Sequence, residues 1–227
     1  MHVLDNAIWQ ALTTKQTHLA QTHGNAAKFL NEVSMLSAVS EPSESAFHDL
    51  ASLLQVGERV GLFLNEVPPP LPELRLVTSA DLIQMLHDGV DTAPANSEPE
   101  NFVSLGVADV PEMLSLTQLT KPGPFGRRTH ELGDYFGIRI DGRLIAMAGE
   151  RLLVPGYTEI SAICTHPDHL GRGYASGLTA MQIARIRNRG EIPFLHVLPG
   201  NKRAVNLYER LGFETRQARK YVILEKR

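Results

Sequence analysis

Cysteine is nearly absent from this chain: Cys164 is the only one among 227 residues. A lone cysteine excludes an internal disulfide and suits a reducing compartment. Long apolar runs are missing too, and none reaches the length that a membrane-spanning helix needs. Nor does one sign of charge dominate, because 22 Lys and Arg face 25 Asp and Glu. A formal charge of -3 gives no basic signature for nucleic acid. The opening Met1-His2-Val3-Leu4-Asp5-Asn6 lacks the basic and apolar regions of a signal peptide. These absences lead us to expect a soluble, cytoplasmic protein with neither nucleic-acid nor membrane partners; a homodimer stays open.

What is present is apolar material, 43% of the chain, enough for one large domain or two modest ones. The first half is bland. Asp5 to Leu19 has helical spacing through Ile8, Ala11 and Leu12, and Ala46 to Leu54 reads as a second helix with Ser43 or Ser45 near its cap. Arg59 to Leu64 reads as a strand, and the prolines from Pro68 to Pro72 make a stiff connector. Leu74 to Val77 is a further strand candidate, followed by a helix near Asp81 to Leu86. Asp88 to Glu100, rich in small and polar residues, is the best domain boundary.

Beyond it the pattern is that of a small α/β unit. Phe102 to Gly106 reads as a strand, Asp109 to Leu119 as a helix with Pro111 in its first turn, and Lys121 to Gly126 as a loop. Tyr135 to Ile140 and Leu144 to Gly149 form a hairpin around Asp141-Gly142.

Chemistry enters at Cys164-Thr165-His166-Pro167-Asp168-His169-Leu170-Gly171-Arg172-Gly173-Tyr174-Ala175. Ile160 to Thr165 reads as a buried strand that Pro167 and Asp168 end. From Gly173 apolar residues recur at helical spacing through Tyr174, Leu178 and Met181, up to a basic last turn and Gly190. Gly171 and Gly173 let the backbone approach a ligand, and the first amides of the new helix lack internal partners. Such a turn favours a phosphate. It is not a P-loop, which would need Lys and Ser or Thr where Tyr174 and Ala175 stand. A dinucleotide fingerprint would need a third glycine, where Ser176 stands, and an acid about twenty residues on; the next acid, Glu191, precedes Pro193, and the fingerprint fits poorly.

Downstream, Phe194 to Leu198 reads as a short strand, and Asn201, Ala204 and Tyr208 recur at helical spacing before Leu211-Gly212-Phe213 leads into a last strand ending near Leu224. Asn201 is a good N-cap, and Ala204 and Tyr208 share a face.

Taken together and in this order, the two signatures resemble those of the GNAT superfamily of acyl-coenzyme A-dependent N-acyltransferases, over roughly residues 101–227. The family's pyrophosphate motif has Arg or Gln, two residues, Gly, one residue, then Gly or Ala. Gly173 and Ala175 match it, Leu170 occupies the Arg or Gln place, and Arg172 is the candidate for a compensating charge. The second signature, Asn-x-x-Ala with Tyr four residues later and then Leu-Gly-Phe, is matched in full. The resemblance implies an α/β GNAT fold, a mixed central sheet flanked by helices, with residues 1–95 as a smaller N-terminal α/β lobe, a degenerate copy of the fold being one reading of it, and 101–227 as the acetyltransferase domain. It implies acetyl-coenzyme A as acyl donor, held by Ile163, Cys164, Thr165, Leu170, Gly171, Arg172, Gly173, Tyr174, Ala175, Asn201 and Ala204. The acceptor is an amine-bearing small molecule or peptide.

The family's chemistry needs three services. A base takes the proton of the attacking amine, a fixed donor receives the oxyanion, and an acid protonates the departing thiolate. Tyr208 stands at the family's tyrosine position and is the expected acid, though alone it would read as a core residue. The oxyanion donor is expected in Ile163 to Thr165. Glu159, counted back from Ala175, holds the strand position of the catalytic glutamate of GNAT histone acetyltransferases, and its apolar neighbours should raise its pKa. Glu150 competes with it, as does an ordered water, and each acid reads equally as a solvated strand end. His130 and Glu131 are acceptor-site candidates in a loop where charges are usually only solvated. Cys164 in an apolar strand reads as a small hydrophobe rather than a nucleophile, and with His166 and His169 it does not complete a metal set. Three functional alternatives remain: a non-catalytic acyl-coenzyme A sensor, a longer acyl donor, and O-acylation.

Overall fold

The computed structural model describes residues 2–89 and 102–227. Its organising feature is a hairpin whose two central residues, Asp141 and Gly142, both take positive φ, 49° and 78°. That conformation matches the twist of the strands it joins. It connects β7 (Tyr135–Ile140) to β8 (Arg143–Val154), and a turn with Gly156 at φ 79° leads into β9 (Tyr157–Thr165).

These strands belong to an eight-stranded mixed sheet. The others are β4 (Arg59–Leu64), β5 (Leu74–Leu86), β6 (Phe102–Leu105), β10 (Ile192–Val197) and β11 (Glu214–Lys226), in the order β4-β11-β5-β10-β9-β8-β7-β6. Only β9 and β10 pair in parallel; the connection between them is α4 (Tyr174–Asn188), which packs on β8, β9 and β10. Pro111 lies in the first turn of α3 (Val110–Thr120), which covers β8 and β9. α5 (Lys202–Arg210) joins β10 to β11.

A second sheet, β1 (Ala20–His23), β2 (Ala26–Phe29) and β3 (Ser37–Val39), carries α1 (Ala7–Thr13) and α2 (Glu44–Leu53). The helix expected over residues 5–19 is shorter: short 3-10 turns at Val3–Asn6 and Thr17–Leu19 flank α1. Ser43 caps α2, accepting from the Ala46 amide at 3.2 Å.

A partition at residue 95 would cut through the large sheet, since β4 and β5 lie on its N-terminal side and β10 and β11 on the other. The apolar cores are continuous across it as well. Ile8, Leu12 and Phe29 share one cluster with Leu152, Val154 and Phe194, and Leu50 and Leu62 share another with Val222. Gln16 fastens the junction, donating to the carbonyls of Leu132 (2.8 Å) and Arg151 (2.9 Å) and accepting from the Leu153 amide (3.2 Å). The proposed boundary segment 88–100 lies, beyond Gly89, outside the described residues.

The helix expected at Asp81 to Leu86 is instead the end of β5. Leu82, Met85 and Leu86 are good helix formers, but this stretch meets β11 on one edge and β10 on the other, Met85 pairing with both Thr215 and Leu195. Two ladders outweigh a local propensity of a few tenths of a kcal/mol per residue. β8 likewise runs past Gly149 to Val154, so Glu150 sits within a strand rather than at its end.

β9 and β10 pair only from Tyr157 to Glu159 and from Ile192 to Phe194. Beyond that point the strands part. Ala162 takes φ 54°, and the register between β8 and β9 shifts beside it, which is the signature of a bulge. The sheet therefore opens between Ile160–Thr165 and Leu195–Val197.

Candidate active site

A cavity of about 710 Å³ fills this opening. Its floor is the splayed part of β9, and Ile163, Cys164 and Thr165 all line it. The mouth is the turn ahead of α4, where Leu170, Gly171, Arg172, Gly173, Tyr174 and Ala175 come together. Pro167 starts a one-turn 3-10 segment, and the His166 ring accepts from the Asp168 amide at 3.3 Å. Gly171 and Gly173 then take φ 79° and 80°, which fold the chain back into the helix. A Cβ at either would meet nothing within 4 Å, so the backbone is bare on the side where a ligand would sit.

Gly173 is the N-cap of α4, and with no side chain it satisfies none of the helix's first amides. Positive helix-end charge and free donors suit a diphosphate. Arg172 of this turn, and Arg203 and Arg210 of α5, line the same cavity. Leu170, 47% exposed, lines the mouth with a side chain that can neither donate nor carry charge. Thr165 Oγ1 and His169 Nδ1 are buried in the cavity wall with no hydrogen-bond partner. A folded protein seldom leaves such atoms orphaned, and a polar ligand would satisfy them.

Asn201 caps α5, accepting from the Ala204 amide at 3.2 Å, and both residues line the cavity. Tyr208, one turn beyond Ala204, reaches the same wall while 8% exposed, its ring edge-on to Phe213. Burial pushes its hydroxyl up to about 12, so it stays protonated and able to donate. Cys164 is equally a wall residue. Burial raises its thiol to about 11, which removes the thiolate that a covalent acyl-cysteine would need.

Glu159 differs from expectation. Desolvation would raise its pKa, but the Arg151 guanidinium and the His196 ring outweigh burial and hold the carboxyl at about 2. Arg151 Nε and Nη2 donate to its two oxygens at 2.8 and 2.5 Å, and His196 Nδ1 contacts Oε1 at 2.6 Å. Wholly buried and fully paired, Glu159 lies beneath the cavity and lacks the raised pKa of a general base. The apolar neighbours that argued for a raised value are there; the cation came from an adjacent strand.

Glu150 is also buried and does not line the cavity. Desolvation raises its pKa against the pull of Arg189, which bonds it at 2.6 Å. Of the loop candidates, Glu131 is held by Arg128 through two 2.7 Å bonds, and neither it nor His130 reaches the cavity, although their neighbours Thr129 and Leu132 do.

Residues outside both signatures also line the cavity, among them Arg151, His196, Phe63 and Tyr221. Phe63 stacks on His196 (4.4 Å between centroids), meets Tyr221 edge-on (5.7 Å) and lies under the Arg151 guanidinium (5.5 Å). Burial lowers the His196 pKa, against the attraction of Glu159. One local signal marked two of them: His196 interrupts the apolar run from Phe194 to Leu198, and Arg151, together with Glu150, interrupts the one from Leu144 to Val154.

A family model described as FR47-like protein matches residues 135–222, from the start of β7 into β11. The structure of a GNAT-family protein from Novosphingobium aromaticivorans is 39% identical, with full coverage of both chains and a TM-score of 0.92. The chain belongs to the GNAT family. Two more distant structures share the fold of this GNAT protein: the GCN5-related N-acetyltransferase from Kribbella flavida (18% identity, 98% of this chain and 94% of that one, TM-score 0.62) and a GCN5-related N-acetyltransferase-like protein from Streptococcus suis (17%, 97% and 92%, 0.59). None of the curated proteins matches the chain. Among the described residues, no helix of this GNAT protein is long and apolar enough to cross a membrane.

Proposed function

We propose that this GNAT protein is an N-acetyltransferase that moves an acetyl group from acetyl-coenzyme A directly to an amine within a ternary complex. The observation that carries the reading is one cavity joining an anion-binding turn to a buried tyrosine across a parted sheet. The diphosphate is assigned to the amides from Gly171 to Ala175, with Arg172 supplying the charge that Leu170 cannot. The pantetheine arm runs between the parted strands, beside Asn201 and Ala204.

In the transfer, the amine nitrogen attacks the thioester carbonyl carbon, a C–N bond forms, and the C–S bond breaks. The oxyanion formed on the way is assigned to a backbone donor in Ile163 to Thr165, where the bulge at Ala162 turns the strand towards the cavity. Tyr208 gives its proton to the leaving thiolate and regains one from solvent. The proton lost by the amine goes to water, and Glu159 is a positioning residue that fixes Arg151 and His196.

Calorimetry with acetyl-coenzyme A, followed by thiol release over a panel of amines, amino acids and peptides, tests the reading. Binding without release for any acceptor would leave the sensor reading in its place. No binding at millimolar donor would remove both.

A further inference from the structure

The charged side chains lining the cavity are Lys121, Arg151, Arg172, Arg203 and Arg210; among the described residues no Asp or Glu lines it. An acceptor that arrives as a bare ammonium would meet five cations and no counter-charge. Four of the five lie on the turn before α4, on α5 or in the loop after α3, where a phosphorylated donor accounts for them. Arg151 does not. It projects from β8, over the ring of Phe63.

Its bonding is incomplete. Nε and Nη2 are taken by Glu159, and Nη1 donates to no described residue. A guanidinium favours bidentate partners and keeps its charge at any working pH. Glu159 answers that charge, but the network behind the pair carries a further cation. Glu159 bonds His196, Gln84 Nε2 lies 3.1 Å from His196 Nε2, Gln84 Oε1 accepts from Arg216, and Arg216 bonds Asp5. Arg219 lies 3.7 Å from the same Asp5. Three guanidiniums thus oppose two carboxylates, Glu159 and Asp5, and a partly buried network with one surplus cation favours an anionic group at its open side. Phe63 lies under the guanidinium, and Met35, Leu82 and Tyr221, whose hydroxyl donates to Met35 Sδ at 3.5 Å, line the same cavity.

We propose that the acceptor is an amino carboxylate with an apolar or aromatic side chain, its carboxylate held by Arg151 Nη1 and its side chain packed among Met35, Phe63 and Tyr221. The inference rests on the acyl-transfer reading for its chemistry, but not for the carboxylate site itself. The carboxylate anchors the acceptor, and the cationic lining favours the neutral form of the amine, which is the form that attacks.

Three probes test it: L-phenylalanine, 2-phenylethylamine, which lacks the carboxylate, and 3-phenylpropanoate, which lacks the amine. L-phenylalanine should release thiol from acetyl-coenzyme A at least about tenfold faster than 2-phenylethylamine at equal concentration, the factor that one charge-assisted bond supplies. Binding of 3-phenylpropanoate, followed by ligand-observed NMR, should weaken by a similar factor in Arg151→Lys, whose ammonium can answer Glu159 but presents no second fork. The paired variant Arg151→Met/Glu159→Gln, which removes both members of the ion pair together, should lose that binding too and serves if Arg151→Lys does not fold. Equal or faster turnover of 2-phenylethylamine, or 3-phenylpropanoate binding that is absent or indifferent to both variants, overturns the proposal. Failure of acetyl-coenzyme A to bind would sink the acyl-transfer reading, while 3-phenylpropanoate would still judge the carboxylate site on its own.

Discussion

Replacing Glu159 by glutamine removes the anion from a pair whose carboxylate is completely buried. Its folded pKa of about 2 lies below the ordinary 4.5, and at ~1.4 kcal/mol per unit the charged form contributes ~3 kcal/mol to stability near neutral pH. Direct removal of one partner from a buried pair costs ~3–5 kcal/mol, because the other charge is left unanswered. The two estimates agree, so Glu159→Gln should destabilise the fold by ~3–5 kcal/mol, which in a chain of this size lowers the melting temperature by roughly 6–20 °C.

The pH dependence has a definite sign. A depressed pKa gives stability that is fully present above the unfolded value and is lost as pH falls through the folded one. The gap between wild type and variant should therefore be flat above about pH 5 and should close on acidification towards about pH 2. Urea unfolding followed by circular dichroism at several pH values measures it. Arg151→Met combined with Glu159→Gln should recover most of the loss, since an apolar replacement removes the desolvation cost with the charge. A deficit below about 1 kcal/mol, or one that widens in acid, would refute the buried-pair account.

Other outcomes follow from the same geometry. Tyr208→Phe should lower kcat by about a hundredfold while leaving the acetyl-coenzyme A dissociation constant within about twofold; because its hydroxyl is held up to about 12, the wild-type profile should show no alkaline loss from this group below about pH 11. Gly173→Ala should cost ~1–2 kcal/mol in urea unfolding, because φ is 80° there and no contact explains a larger loss, and it should weaken donor binding in the calorimeter. Cys164, pushed up to about 11 by burial, should resist iodoacetamide at neutral pH until the protein unfolds; labelling of the native state at the rate of a free thiol would contradict the assigned burial. Donor affinity should fall as salt rises, since Arg172, Arg203 and Arg210 line the cavity.

The local features of this chain were legible because they depend on nearest neighbours. Asp141-Gly142 set a hairpin, Gly171 and Gly173 set a left-handed turn into a helix, and Asn201, Ala204 and Tyr208 set a capped helix with one face on the cavity. Each is a matter of backbone sterics or of a few residues' spacing, so the glycine turn and the placing of the tyrosine on its helix could be read from the sequence alone.

Tertiary structure decided what depends on partners distant in the chain. Leu82 to Leu86 became strand because β10 and β11 offered it two ladders, and the first half joined the main sheet because its apolar faces were completed by second-half residues such as Leu152, Val154, Phe194 and Val222. The state of Glu159 reversed for the same reason. Its neighbours along the strand are apolar and argue for a raised pKa, yet its charge is set by Arg151, eight residues earlier on β8, and by His196 on β10. Spacing along one chain carries conformational preference over a few residues, but electrostatic environment is a property of space, and it exists only once the strands have been laid side by side.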